Sequence, residues 1–348
     1  MTSSIIQGGR KWVLECIKMI YSLVKSTIQH FNPGLISRTL REVRLGAAIS
    51  LTLNYVAQEY SIYKQNKDNR ISPTLIQLEL TTYCPWRCKG CYMPVEERKD
   101  KKVIDLETAH KAVQKGISWG IRNFNLIGGE TISRDTVPVI ESLITEYPSL
   151  SFHCCTNGIY LSSQNEELDD IVLRNNLNIG LSIDGFKETN DAIRDKNSYR
   201  SVISAAEYLS SRRSLYGATV TLGPENIEEV TSEEFMDFLI SHRFHYVTYG
   251  ISHKVDHASC SNALEALKSL RKKPIFIYIN SLGHIDDLSP LKRDRLISVD
   301  KRGKILNDRR ERIPIADLDT DLEDIVSSKD WKKRFTLEWA LHSNKESN

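Results

Sequence analysis

Between residues 74 and 272 short runs of aliphatic and β-branched residues alternate with longer runs of helical spacing. TLIQLELT (74–81) predicts a buried strand, and DLETAHKAVQKGISWG (105–120) a helix opened by Asp105 and Glu107. NFNLIGGE (123–130) predicts the next strand and RDTVPVIESLITEY the helix after it. SLSFHCCTNG (149–158) and LNIGLSIDG (177–185) read as strands around a helix in NEELDDIVLRNN. SYRSVISAAEYLSSRRS reads as helix, YGATVTLG (216–223) as strand and PENIEEVTSEEFMDFLISHRF as helix. HYVTYGIS (245–252) and a helix near 260–272 end the series. Alternation of this kind requires a parallel sheet with helices outside it. Six units fall short of the eight of a closed barrel, so the predicted fold is α/β, an open partial (β/α)6 TIM-like barrel.

Three regions follow. Residues 1–72 form a helical prefix, 73–280 the barrel, and 281–348 a small α+β extension with a hairpin in LISVDKRGKILND (296–308) and helical signal from 321. The polar stretch IYKQNKDNRISP (62–73) closes the prefix. Residues 11–31 and 41–60 are amphipathic, but Lys11, Glu15, Lys18 and Lys25 interrupt the first, and no uncharged run approaches the roughly 20 residues of a membrane span. Two readings stand for these helices: packing on the barrel, or peripheral contact with a membrane or partner through residues 11–60. A net charge of +2 over 348 residues demands no nucleic acid. Seven unevenly spread cysteines argue against a secreted disulfide framework and for a reducing cytoplasmic setting, with membrane association left open by the prefix.

The unusual residues gather at one edge. CPWRCKGC follows the first strand, GGE ends the second, TNG the third and SIDG the fourth. In parallel sheets chemistry collects at the strands' C-terminal ends, so these four motifs predict one site. Cys84, Cys88 and Cys91 lie within eight positions. Three thiolates in one loop suit three corners of a cubane iron–sulfur cluster, leaving its fourth iron open to a small molecule. A structural zinc site needs four ligands, and the nearest histidines, His110 and His153, are not at finger spacing. Three unrelated structural cysteines are the remaining alternative.

LELTTYCPWRCKGCY, with Cys-x3-Cys-x2-Cys after a first strand, resembles the signature of the radical S-adenosylmethionine (SAM) superfamily. Within it, the nearest likeness is to the SPASM/twitch subgroup of peptide-modifying and sulfatase-maturing enzymes. The resemblance covers about residues 74–252. It implies one [4Fe–4S] cluster on Cys84, Cys88 and Cys91, with SAM chelating the open iron. Reductive cleavage of SAM then gives a 5′-deoxyadenosyl radical that abstracts hydrogen from substrate. Matching the family's motifs residue by residue implies SAM contacts from Gly128, Gly129, Glu130, Asn157, Ser182, Asp184 and Arg194. Gly90 stands where an aromatic often precedes the third cysteine, and Tyr92 is the substitute candidate. The extension has Asn307 and Asp308 where auxiliary-cluster domains carry cysteine, and only Cys260 lies beyond residue 155. A single cluster is therefore expected, with the extension covering the barrel mouth.

Substrate and reaction are less constrained. The resemblance implies a peptide or small-metabolite substrate and a flavodoxin- or ferredoxin-type reductant. The alternatives are a lipid or isoprenoid substrate at a membrane surface and a non-catalytic cluster-binding scaffold. His253, Asp256 and His257, in the loop after the sixth strand, are the candidates for substrate contact or proton transfer; with Cys260 they also resemble a metal-ligand spacing. Cys154 and Cys155, inside an apolar strand, read as small buried hydrophobes.

Overall fold

The computed structural model describes residues 32–50, 53, 73–164, 166–252, 254–279, 283–284, 296–306 and 312–328. Its strands are β1 (Leu75–Thr81), β2 (Asn123–Gly128), β3 (Ser151–Thr156), β4 (Leu177–Ser182), β5 (Tyr216–Leu222), β6 (Tyr246–Ile251), β7 (Phe276–Ile279), β8 (Gly283–His284), β9 (Leu296–Val299), β10 (Lys304–Leu306) and β11 (Pro314–Asp317). The helices are α1 (Pro33–Glu42), α2 (Leu106–Ser118), α3 (Val137–Glu146), α4 (Asp169–Val172), α5 (Lys187–Ile193), α6 (Ser198–Ser211), α7 (Ile227–Val230), α8 (Glu233–Ser241), α9 (His257–Ser269) and α10 (Leu322–Ser327).

β1 to β7 pair in parallel, each with its neighbour in sequence, within one open 11-stranded sheet ordered β11-β10-β9-β1-β2-β3-β4-β5-β6-β7-β8. The partial barrel is thus present and not closed. One face of each strand carries Ile76, Leu78, Leu80, Phe124, Leu126, Phe152, Ile179, Leu181, Ala218, Val220 and Val247, all in one core with the apolar stripes of α2, α3, α6 and α8. The alternate residues point to the inner face, as the two-residue period of a strand requires. They include Gln77, Glu79, Asn125, His153, Cys155, Ser182, Thr219 and Tyr246, so the inner wall is polar.

The differences from the sequence reading are local. A seventh parallel strand, β7, extends the series. α5 fills KETNDAI, where no helix was expected. The long helix expected over 224–244 divides into α7 and α8, because Ser232 accepts the Phe235 N–H and starts a new helix. NEELDDIVLRNN yields only the single turn α4; Asp169, at its first residue, is bound by Tyr208 and Arg212 of the α6 end.

Of the prefix, residues 11–31, 51–52 and 54–60 lie outside the described residues. α1 starts at Asn32, which caps the Leu35 N–H, and has proline in its first turn. It docks under the barrel. Asn32 Nδ2 reaches the Lys272 and Lys273 carbonyls at 3.0 and 2.8 Å, while buried Arg38 donates to Pro274 O at 3.0 Å and Ile240 O at 3.2 Å. Val43 and Ala47 pack on Leu215.

The hairpin expected over 296–308 is present as β9 and β10. Its turn is set by Asp300, whose Oδ1 accepts the Arg302 and Lys304 N–H groups, and by Gly303 at φ 78°. The described part of the extension reaches the mouth through Lys301 and Arg312, which meet Asp100 and Glu97, and it joins the sheet, with β9 parallel beside β1 and Ile297, Val299 and Ile305 in the barrel core. The hairpin has an unfilled strand edge to complete there, which a cover would leave exposed.

Candidate active site

Cys84 follows β1 by three residues, and the loop it opens is anchored at several points. Its own N–H donates to Arg98 O at 3.1 Å, and Arg98 Nε holds Met93 O at 2.8 Å. Across the mouth, Arg87 N–H reaches Asp195 Oδ2 at 3.1 Å and Lys89 N–H reaches Ile193 O at 2.8 Å, at and just beyond the end of α5. The loop therefore lies between the ends of β1 and β4's following helix. Cys84 is buried, Cys88 half-buried and Cys91 exposed. Burial pushes the Cys84 thiol up to about 12 and raises Cys88 as well, Arg194 opposing the rise at Cys88. Bare thiolates are disfavoured in such a place, and a bound metal group reverses that balance. Among the described residues no three His, Cys, Asp or Glu side chains converge as ligands of a single ion.

β2 delivers Gly128, Gly129 and Glu130 against this loop. Gly129 N–H donates to Thr81 O at 2.8 Å and Glu130 N–H to Tyr83 O at 2.7 Å. A Cβ on Gly128 would fall onto the Thr81 carbonyl oxygen, and one on Gly129 onto that of Tyr83. The glycine pair is required first by this backbone-to-backbone approach. Buried Glu130 accepts the Ile132 N–H at 2.9 Å and the Thr156 hydroxyl on Oε1, and the Asn157 N–H at 2.8 Å on Oε2. It thereby ties the ends of β2 and β3 together. Burial raises it to about 7 against those three hydrogen bonds. Tyr92 donates its hydroxyl to Gly128 O at 3.0 Å, which fixes this aromatic at the glycine end.

After β3, Asn157 accepts the Ile159 N–H at 2.9 Å, and its Nδ2 lies 3.9 Å from Cys84 Sγ. The third strand end and the cysteine loop are thus in contact. After β4, Asp184 is held by its own main chain on Asn190 Oδ1 and Asn226 Nδ2, both 2.8 Å, and by Thr221 N–H on Oδ1 at 2.7 Å. Its Oδ2 meets Arg194 Nε at 2.9 Å. That contact is ionic, for the buried Nε–H points at no acceptor. Burial lowers the affinity of Arg194 for its proton, but the charges of Asp184 and Cys88 outweigh it and the net direction is upward. Ser182 ends β4 on the inner face, half-buried beside Thr219.

The structure therefore brings Cys84, Cys88, Cys91, Tyr92, Gly128, Gly129, Glu130, Asn157, Asp184 and Arg194 to one edge of the sheet, with Ser182 at the rim. Asp256 is elsewhere engaged: it is the N-cap of α9 and holds Ser259 through N–H at 2.9 Å and hydroxyl at 2.6 Å. Those two bonds lower its pKa. His257, in the first turn, is exposed and contacts Ser261 at 3.3 Å. His253 lies outside the described residues.

Sequence reading missed the clamps. Asn190, fully buried, joins Asp184 N–H to the Ser198 hydroxyl, and Glu229 binds Phe186 N–H and the Thr189 hydroxyl. The one available signal was a run of Asn and Asp after a strand end, which reads equally as ordinary turn. It also misplaced Cys155. Cys154 is buried in the core, but Cys155 faces the inner wall, its Sγ 3.7 Å from His153 Nδ1 and 3.8 Å from Thr219 Oγ1. His153 Nε2 meets the Tyr246 hydroxyl at 3.1 Å, and that hydroxyl donates to Ile179 O at 2.9 Å. Side chains at Gly180 and Gly217 would collide with this row.

An open parallel barrel whose C-terminal edge bears three thiols, a glycine-lined strand end and a buried arginine–aspartate pair defines a cluster-bearing α/β barrel. Residues 78–239 match the model of the Radical SAM superfamily, and the chain carries a domain of that superfamily. Such domains take a [4Fe–4S] cluster and SAM as cofactors. The GTP 3′,8-cyclase of Nautilia profundicola is 26% identical over 168 residues, 47% of this chain and 51% of that protein. That of Campylobacter curvus is 23% identical over 198 residues, 56% and 59% of the two chains. The chain thus spans about half the length of these curated relatives. In fold it is similar to Streptococcus suis SuiB bound to the precursor peptide SuiA (TM-score 0.61, 13% identity, 81% of this chain and 71% of that one). It is likewise similar to anSMEcpe with bound AdoMet (TM-score 0.58, 13% identity, 76% and 84%).

The residues present fit both groups. Cys84, Cys88 and Cys91 lie on one anchored loop close enough to act on one another's charge, and buried Arg194, in range of Cys88 and Cys91, is held by Asp184 through an ionic contact without a hydrogen bond from Nε.

Proposed function

We propose that the chain is a radical SAM enzyme acting on a peptide segment or a small metabolite, with one cluster on Cys84, Cys88 and Cys91. The observation that carries this reading is the meeting of the cysteine loop with the ends of β2, β3 and β4, through Tyr83 O, Asn157 Nδ2 and the Asp195 carboxylate. When bound, the cofactor pair supplies a 5′-deoxyadenosyl radical for hydrogen abstraction. The chain's own part is to hold and shield. Oε2 of Glu130 carries one hydrogen bond and keeps a lone pair for the ammonium of SAM. Arg194, fixed by Asp184, presents its outer nitrogens to the carboxylate. The Gly128–Gly129 backbone, Asn157 and Ser182 line the remaining approach, and the Tyr92 ring closes the glycine side. A flavodoxin- or ferredoxin-type protein is the reductant this chemistry requires.

For the substrate, the charges at the mouth are informative. Arg312 is bidentate on Glu79 at 2.6 and 3.1 Å, Lys301 binds Asp100 at 2.6 Å, and Arg98 is held by Met93 O. Arg312 and Lys301 are thus already paired with carboxylates, where a triphosphate would call for several cations to spare. Together with the polar wall of His153, Cys155, Thr219 and Tyr246, this supports a peptide or polar metabolite over the nucleotide named for the cyclase relatives. The likeness to SuiB, whose structure holds a peptide, agrees in fold.

The test is anaerobic. Protein reconstituted with iron and sulfide and then reduced should bind about four irons and release 5′-deoxyadenosine from SAM, and Cys88→Ala should do neither. A full cluster with no cleavage, in the presence of candidate substrates, would favour a non-catalytic scaffold. Zinc without cluster would remove the proposal.

A further inference from the structure

The described part of the prefix lies at the opposite end of the barrel from the cysteines. The barrel residues that hold α1, Val43, Gly46 and Ala47 precede strands. Lys272, Lys273 and Pro274 lead into β7, and Ile240 and His245 into β6. Arg213 and Leu215 lead into β5, and Asn175, pressed against Gly46, leads into β4. Since the strands are parallel, this is the floor, and the mouth lies a strand length of about 20 Å away.

The outer side of these helices is apolar. Ile36 and Leu40 are 39% and 53% exposed one turn apart, and Leu45, Ile49 and Leu53 are 62%, 49% and 64% exposed at four-residue spacing. Five of the large hydrophobic residues exposed among those described thus fall within 18 positions, where a monomer's surface usually scatters them. The charge beside them is positive. Arg41, Arg213 and Arg243 are exposed on the same floor, and no described carboxylate pairs with them. The acids nearby are matched already, Glu42 by Arg38 at 3.0 Å and Asp169 by Arg212 at 3.0 Å. Residues 1–60 hold seven basic and three acidic side chains, against 40 and 42 in the remainder, so the chain's small net charge hides a basic prefix.

We infer that the floor of the barrel docks on an anionic phospholipid surface, with α1, residues 45–50 and Leu53 at the interface and the active-site mouth turned away. Apolar insertion and basic attraction are the two contributions an interfacial helix combines. No described helix is long and apolar enough to cross a membrane, so the contact is peripheral. The orientation has a consequence for chemistry: a lipid in the same bilayer cannot reach the cysteine edge, and the substrate arrives from the aqueous side.

Co-sedimentation of the full chain with vesicles tests this without reference to catalysis. Vesicles of phosphatidylcholine plus phosphatidylglycerol should retain the protein about tenfold better than phosphatidylcholine alone, and added salt should weaken the retention. Leu45→Asp with Ile49→Asp should abolish it. Arg41→Glu with Arg243→Glu, confined to the surface, should reduce it about tenfold and serves if the first pair misfolds. Hydrogen exchange on vesicles should slow in residues 33–53 and stay unchanged in 84–100. Equal retention on neutral vesicles, no retention, indifference to both variants, or protection of 84–100 instead would each overturn the inference.

Discussion

Asp184 and Arg194 meet at 2.9 Å inside the mouth, with side chains only 5% and 12% exposed. The two ends of the pair are placed by different means. Asp184 is locked by Thr221, Asn190 and Asn226, whereas Arg194 hangs from the end of α5 with Nε directed at no acceptor. The carboxylate is the fixed member and the guanidinium the member left to meet a ligand.

Removing one partner strands the other's charge in a buried place, which costs about 3–5 kcal/mol, while replacing both with apolar groups is often near neutral. Arg194→Met should therefore lower the urea midpoint sharply. The double variant Asp184→Leu, Arg194→Met should recover much of that loss and still fail to bind SAM in equilibrium dialysis. Binding restored along with stability would show the pair to be structural alone.

Two glycines in the site separate crowding from backbone strain. Gly129→Ala must push apart the ends of β1 and β2, because its Cβ falls onto Tyr83 O, and should cost about 3 kcal/mol. Gly90 has φ 71° with nothing within 4 Å of an added Cβ, so Gly90→Ala should cost only about 1 kcal/mol. Urea unfolding of both variants measures the difference, and equal losses would contradict the geometry.

The strand order and the site's location were legible because both follow from periodicity and from motifs at strand ends. The Cys84, Gly128, Asn157 and Asp184 segments needed only a parallel sheet to be brought together. What stayed hidden depends on contacts distant in sequence. Asn190 and Asn226 give no local sign that both will grip Asp184, and no pattern in 296–308 shows that the hairpin will pair with β1. The division of the helix at Thr231 was readable in principle from Ser232, a capping residue followed by two acids. The engagement of Asp256 as a cap was readable in the same way, three residues ahead of Ser259.

Cys154 and Cys155 are adjacent yet face opposite sides of β3, the first into the core and the second onto the inner wall. Iodoacetamide should modify Cys155 in the folded protein and Cys154 only after unfolding, as peptide mass mapping would show. Cys155→Ser should keep the fold, since serine can still meet His153 and Thr219. No labelling of Cys155 before unfolding would mean the inner wall is closed to small molecules.

His245 makes the attachment of α1 sensitive to acid. It sits beneath β6, its ring Nδ1 3.3 Å from Tyr216 O and its Nε2 3.4 Å from Glu42 of α1. Burial is the largest influence on it, and with the charge of Arg38 it lowers the pKa from 6.5 to about 4, despite Glu42, which Arg38 already holds at 3.0 Å. A depressed folded pKa contributes stability that is complete above the ordinary value near 6.5 and lost as pH falls toward 4. Between about pH 7 and pH 5 the wild type should therefore lose about 2 kcal/mol of unfolding free energy that His245→Gln, with no proton to gain, does not lose. Urea titrations at the two pH values give the comparison, and hydrogen exchange in Pro33–Glu42 should quicken first as the ring becomes charged. Parallel pH profiles for the two proteins would mean that His245 is charged in the fold already and pairs with Glu42.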